Sequence, residues 1–384
     1  MVILSSFLIA FCCIIIWRAS DGFETASEYL GRNLSEGVRG ATINAIGSSI
    51  PELFTTLFFL FILKDRDGFA GGIGTTAGSA IFNGMIIPAV VILIVVLKGI
   101  NSSITISRKV LLRDGISLLI CELVLIILIG GNTLNWVDGM ILMGMYAAYA
   151  VYMTTSMKKF VAEESDSIED EEDDVSADKG FFLNLISLNL QPIFVKSKLQ
   201  PVNAWSLLIV ATVVISSACY LLVKSCEWLG DSMGIPIYFI AVVLASAATS
   251  VPDTILSMKD AQKGNYDDAV SNALGSNIFD VCFALGFPLF LFTLIYGPIE
   301  MSPETVKNVS ELRILLFILT FIAFIIYVSR AKLGVISALL LLLIYFAFTF
   351  FILGESVNAD FSSDISSFLS YLNVLIEKIR FWNH

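Results

Sequence analysis

Stretches of about 20 mostly apolar residues, the length that carries an α-helix across a bilayer, recur from one end of this 384-residue chain to the other. Ten are read, near 2–17, 37–63, 69–98, 114–131, 136–157, 203–225, 235–259, 268–296, 312–329 and 333–354. Hydrophobic residues make up 57% of the chain and charged ones only 15%, too few to clothe a water-soluble globule of this size. Lipid offers backbone amides no partners, so spans of this kind fold as helices, and the expected class is an all-α polytopic membrane protein. The first stretch is read as a retained helix, since no basic segment precedes it and no small-residue cleavage site precedes Trp17-Arg18.

Threading ten spans alternately puts sixteen lysines and arginines on one side and seven on the other. By the positive-inside rule both termini are extracytoplasmic and the linker 158–202 is cytoplasmic. Much of the net charge of −11 sits in that linker, from Glu163 to Asp174, and reads as a solvated run, with Ser165 and Ser167 as candidate phosphorylation sites. Phe181 to Val195 reads as an amphipathic segment for the inner membrane face. Six cysteines without CxxC spacing suggest neither a disulfide framework nor a zinc site, and a single histidine, His384, argues against imidazole chemistry. The domains expected are a first half (1–157), the linker, a second half (203–354) and a C-terminal tail (355–384) on the extracytoplasmic side.

The halves contain a repeat. Ile46-Gly47-Ser48-Ser49-Ile50-Pro51-Glu52 matches Ala247-Ala248-Thr249-Ser250-Val251-Pro252-Asp253 at an offset of 201, and Gly78-Ser79-Ala80-Ile81-Phe82-Asn83 matches Gly275-Ser276-Asn277-Ile278-Phe279-Asp280 at an offset of 197. Five spans precede the linker and five follow it, so the copies (37–98 and 235–296) enter the membrane from opposite sides. An inverted 5+5 repeat places a substrate site at mid-membrane between the halves.

The repeated residues suit that place. A carboxylate at the centre of a span costs about 2.5–3.5 kcal/mol on insertion scales and is seldom there without a partner or a task. Glu52 and Asp253 each follow a proline, which removes a backbone donor and frees carbonyls, so a broken helix should present carbonyl, hydroxyl and carboxylate oxygens within one turn. Ser79 and Asn83 share one helix face, as do Ser276 and Asp280, while Gly71, Gly74 and Gly78 form a strip for close helix approach. Oxygen ligands without imidazole or thiolate suit hard cations such as calcium, with sodium competing for the same groups.

The paired SSIPE and TSVPD segments, each followed by a GS-x-IF-N/D segment, resemble the two alpha repeats of the cation/calcium exchanger superfamily, the sodium/calcium exchangers. The resemblance implies antiport of sodium against calcium by alternating access, most naturally at the plasma membrane, with no prosthetic group and no nucleic-acid partner. It assigns calcium to Glu52 and Asp253, and sodium to the polar set of Ala45 (carbonyl), Ser48, Ser49, Ser79, Asn83, Ser246, Thr249, Ser250, Ser276 and Asp280. Glu in the first repeat with Asp in the second, and Asp280 after GSNIF, look more like the potassium-dependent branch; prokaryotic relatives share that Asp, which leaves potassium open. Ser48 stands where the family usually has Thr and Ala248 where it usually has Gly. The large calcium-sensing domains of animal members have no counterpart in the linker. A single copy suffices for transport in this scheme, and the oligomeric state stays open.

Plainer readings compete. Glu52 and Asp253 also read as polar contacts between helices, Asn83 and Asp280 as packing or capping residues, Asn44 as a ligand or a helix–helix bond, and Glu122 as facing an interface, a partner or a cavity. A calcium/proton antiporter on the same carboxylates is the main functional alternative, although the proton branch's GN-x-x-E motif is absent. A channel lacks a recognisable filter sequence, and a pump would need a P-loop or a phosphorylated-aspartate domain.

Overall fold

Apolar runs of this length can bond their own backbones only as helices, and helices dominate the computed structural model, which describes residues 1–30, 45–63, 66–161, 184, 188–194, 199–330 and 332–379. Among the described residues, seven helices are long and apolar enough to cross a membrane. They are α1 (Val2–Leu30), α4 (Arg66–Leu97, apolar from Phe69), α8 (Pro201–Met233), α9 (Ile237–Lys263), α10 (Tyr266–Tyr296), α11 (Pro303–Ser329) and α12 (Val335–Ser356). Their outward sides carry exposed apolar residues, among them Phe7, Phe11, Ile209, Val213, Phe346 and Phe350, a surface stable only against lipid.

The other three expected spans meet helices that fall short of that measure. Span 37–63 begins outside the described residues and continues as α2 (Ala45–Ser48) and α3 (Ile50–Leu63). Span 114–131 is α5 (Arg108–Leu128), which carries Arg113, Asp114 and Glu122, and span 136–157 is α6 (Trp136–Val161). The acidic run from Glu163 to Asp174 lies outside the described residues; of 181–195 a single turn is described in full, α7 (Gln191–Phe194). The first helix continues well beyond residue 17, to Leu30.

Both halves break where the prolines stand. α2 and α3 part at Ser49, and α9 is interrupted at Ser250 before resuming at Val251. Pro51 and Pro252 have no N–H to return to the carbonyls of Gly47 and Ala248 one turn earlier. The Cys13 thiol of α1 reaches the Ala248 carbonyl at 3.8 Å instead. The second half adds two π-helical turns, Ala241–Ala245 within α9 and Asp280–Ala284 within α10, while α4 has none. Such turns shift the register of the side chains that follow and favour functional sites.

The glycine strip brings the halves together. A Cβ on Gly74 would meet Val242 Cγ2 at 3.1 Å and the Tyr238 carbonyl at 3.2 Å, and one on Gly78 would collide with the Val242 carbonyl, so α4 lies backbone to backbone on the first part of α9. α1 packs along α8 in a second apolar cluster on the flank. Loops are tied in pairs. Strands β1 (Thr133–Leu134) and β2 (Ile299–Glu300) pair antiparallel, and Ile104 bridges Leu333.

Residues beyond 354, expected as a tail, contain a further helix, α13 (Asp360–Ile379). Ser362, Ser366, Ser370 and Asn373 face the bundle together with Leu369, while Phe361, Ile365, Phe368 and Tyr371 are exposed, which partly inverts the pattern of a helix in water. Glu311 accepts from Ser366 (2.8 Å) and Ser370 (2.9 Å), while the buried Arg313 donates to the Ile126 carbonyl (2.6 Å) and to Asn373 (2.9 Å). Phe361 stacks on the outward-facing Phe350 of α12 with ring centroids 4.5 Å apart. Arg313→Ala removes the bonds to Ile126, Ser310 and Asn373 at once and should lower stability by about 3 kcal/mol, whereas Asn373→Ala, losing the Arg313 bond and an exposed bond to Glu377, should cost about 1 kcal/mol. Thermal unfolding in detergent followed by size-exclusion chromatography reads both; equal melting temperatures for wild type and Arg313→Ala would show that this bond does not hold α13.

Candidate functional site

The breaks and the glycine strip deliver side chains of four helices to one buried point. From the first half come Glu52, at the start of α3, and Ser79 and Asn83 on α4; from the second come Ser250 and Asp253, at the break of α9, and Ser276 and Asp280 on α10. All seven are fully buried.

Ser79 is the hub. Its Oγ lies 3.2 Å from Glu52 Oε1, 2.9 Å from Asp280 Oδ2 and 2.9 Å from Ser250 Oγ. One hydroxyl has one proton, so it satisfies one carboxylate at a time. Asn83 Nδ2 donates to Asp253 Oδ2 (3.0 Å) and approaches Ser79 Oγ (3.4 Å), and Ser276 Oγ donates to Asp253 Oδ1 (2.8 Å). A first-half amide thus holds the second-half carboxylate, and a first-half hydroxyl spans one carboxylate from each half.

More acceptors than donors are left over at this point. Glu52 Oε2, Asp280 Oδ1, Asn83 Oδ1 and Ser49 Oγ are buried without a hydrogen-bond partner. Buried carboxylate oxygens in that condition demand either protons or a cation. Among the described residues no three carboxylate, imidazole or thiol groups form a ready metal site. A cation at this point would therefore draw hydroxyl, amide and carbonyl oxygens as well, which is the ligand mixture of calcium and sodium.

The rest of the expected set is near the hub with differing engagement. Ser48 lies beside the Asp253 carboxylate, Thr249 beside Glu52 and Ser49 beside Asp280. Thr249 Oγ1 also returns to the Ala245 and Ser246 carbonyls, at 3.2 and 3.1 Å. Ser246 turns its hydroxyl to the Val242 carbonyl (2.5 Å), so it contributes to the α4–α9 crossing through its small size. Ala45 begins α2, one turn before the break. Asn44 falls outside the described residues.

Two features were not foreseen. Asn277 Nδ2 donates to the Ala80 carbonyl (2.9 Å), stitching α10 to α4; it stood inside the repeated motif, but its partner position in the first copy is Ala80, so pairing the copies hid it. Glu122 is fully buried, its Oε1 accepting from Thr320 of α11 (2.8 Å) while its Oε2 has no hydrogen-bond partner.

Comparison with known proteins agrees with this arrangement. The profile of the sodium/calcium exchanger protein family matches twice, at residues 4–155 and 203–354. The human sodium/potassium/calcium exchanger 5 is 29% identical over 339 residues, covering 70% of this chain and 65% of its own length. The Drosophila melanogaster sodium/potassium/calcium exchanger Nckx30C is 37% identical over 135 residues, 35% of this chain and 15% of its own. The chain thus spans less than two thirds of these relatives. Solved structures of the sodium-calcium exchanger NCX_Mj, soaked with sodium or with sodium and strontium, align with TM-scores of 0.55 and 0.56 at 23% identity over 90% of this chain and 98% of theirs, which is a likeness of fold. With most of its length matched in two copies, the chain belongs to the sodium/calcium exchanger protein family.

Proposed function

We propose that the protein is a secondary antiporter that exchanges sodium for calcium by alternating access, with calcium on Glu52 and Asp253 and sodium in the surrounding oxygen set. The observation that carries this reading is the surplus of buried acceptor oxygens at a point shared by both halves. Two carboxylates with freed carbonyls offset the dehydration of a divalent cation. Several sodium ions, each on fewer oxygens, offer an alternative way to neutralise the same field, and this competition is the physical basis of exchange. Relatives named as sodium/potassium/calcium exchangers make potassium a candidate third ion.

The architecture proposed is ten spans as an inverted 5+5 repeat, with both termini extracytoplasmic and the acidic linker cytoplasmic in the plasma membrane. Pairing between loops supports it. Ile104 meets Leu333, Lys98 meets Gln262, the Ser107 amide meets Asp267, and Asp21 meets Lys259, all among segments assigned to the cytoplasmic face. Thr133 meets Glu300, and Lys307 meets Glu355, among those assigned to the other. No pair in this set joins segments assigned to opposite faces. Rocking of α1 and α8 past the two breaks would then open the site to each side in turn.

Glu52→Gln and Asp253→Asn keep side-chain shape but lose the charge that offsets calcium dehydration. Each should lower calcium exchange in proteoliposomes by about a hundredfold or more while the protein still elutes as a folded species. Wild-type flux from either variant would remove the assignment of calcium to these residues.

The driving ion separates this reading from the calcium/proton alternative, for which the three buried carboxylates are the supporting observation. Calcium efflux from loaded vesicles should require external sodium and persist when proton gradients are collapsed. Apparent calcium affinity should fall as sodium rises, and sodium affinity should fall by the same factor as calcium rises. Full-rate efflux driven by protons without sodium would decide for the alternative and make Asp280 the leading proton carrier.

A further inference from the structure

We propose that a cavity at the Asp21 end of α1 is a second cation site, an acidic antechamber that admits a hard cation such as calcium to the carboxylate cluster. It rests on the exchange reading for its role in transport, but the site itself stands on its own walls. Trp17, Ser20, Asp21 and Glu24 line it from α1, Ser48 from α2 and Pro252 from α9. The space holds a water-sized occupant. Ser48 is shared by both sites, since it also lies beside the Asp253 carboxylate.

Charge and unmet polarity both point to a cation. Glu24, half-buried, is within electrostatic range of Asp21, Glu28 and Asp260, against one lysine, Lys259. Arg18 stacks on the Trp17 ring at 4.7 Å, so its guanidinium borders the cavity wall as a second basic group. Four carboxylates outnumber the basic groups beside them, Lys259, Lys263 and Arg18, and the excess leaves a negative field over a cleft with low-dielectric walls, which raises the local concentration of cations. Ser20, which is 5% exposed, forms part of the wall, yet its hydroxyl has no hydrogen-bond partner. The Trp17 indole N–H is also unpartnered, but as a donor it adds no ligand for a cation. Oxygen from Ser20 and Ser48 with the carboxylates of Asp21 and Glu24 makes an all-oxygen set suited to a hard ion.

Lys259 is the competitor. Its ammonium lies 2.9 Å from Asp21 Oδ1, in a pair that is 50% and 40% exposed, and exposed pairs hold weakly. An incoming cation displaces the ammonium from Asp21 and releases α9 from α1 at that end. The antechamber would thus couple arrival of an ion to loosening of a contact between the two halves.

Terbium(III), a hard stand-in for calcium whose emission is sensitised by a nearby indole, reads the site through Trp17 in the purified full-length chain. Titration should give tryptophan-sensitised emission in wild type that survives Glu52→Gln/Asp253→Asn, dims in Trp17→Phe and weakens in apparent affinity by about fivefold or more in Asp21→Asn/Glu24→Gln. Lys259→Gln, which frees Asp21, should shift affinity the opposite way, an effect that simple misfolding would not produce. The antechamber is overturned if Asp21→Asn/Glu24→Gln titrates like wild type, if Lys259→Gln fails to tighten binding, or if the emission disappears with the central carboxylates alone. Absence of sodium-driven calcium flux in wild type would sink the exchange reading and leave these titrations to decide the antechamber separately.

Discussion

Ser79 bonds within hydrogen-bonding distance of carboxylates from both halves of the chain, and much of the bundle can be understood as what makes that contact tolerable. Two oxygens held at 3.2 and 2.9 Å from one Oγ lie within about 6 Å of each other, and unit charges at that separation repel by about 3 kcal/mol at an effective dielectric near 20. Asp253 adds a third carboxylate through Asn83 and Ser276. The repulsion cannot be relieved by solvent, because all of these groups are buried. It is contained because the helices that carry them are locked together elsewhere: Gly74 and Gly78 lay α4 on α9, Asn277 ties α10 to α4, and the loop pairs clamp both ends.

Left charged and without a counter-ion, that arrangement is costly. With a cation among the oxygens the carboxylates attract a common centre; with protons or competing ions they are neutralised differently. A cluster whose electrostatics depend so strongly on its occupant can bias a conformational equilibrium, because the ligand's free energy of interaction differs between arrangements. Breaks at Ser49 and Ser250 supply the pliancy such a bias needs. Missing backbone donors at Pro51 and Pro252 mean that short segments on either side can tilt without rupturing a full helical ladder.

The sequence revealed most of this core because its signals are local. Apolar length announces the spans, proline announces the breaks, and the two motif copies place Glu52, Ser79, Asn83, Asp253, Ser276 and Asp280 on inward faces whatever their neighbours. Other features depend on partners far away in the chain. Nothing near Glu122 names Thr320, 198 residues on, and nothing in the SNIF segment says that Asn277 would bond the Ala80 backbone. Ser246 carries the right chemistry at the right motif position, yet a carbonyl one turn back claims its hydroxyl, a choice made by rotamer rather than by residue type.

The C-terminal helix illustrates the same limit from the other side. Read by composition, Asp360 to Ile379 mixes serines, acids and apolar residues and looks like a tail, because the usual rule puts polar residues outward. Here the rule reverses: Phe368 and Tyr371 are exposed, and Ser366 and Ser370 turn inward to Glu311. A buried carboxylate and the buried guanidinium of Arg313 need many polar partners, and a helix with serines at four-residue spacing supplies them on one face. The amphipathic pattern was visible in the sequence; what could not be read there was that two charged residues of α11, some sixty positions away, would decide which face turns in.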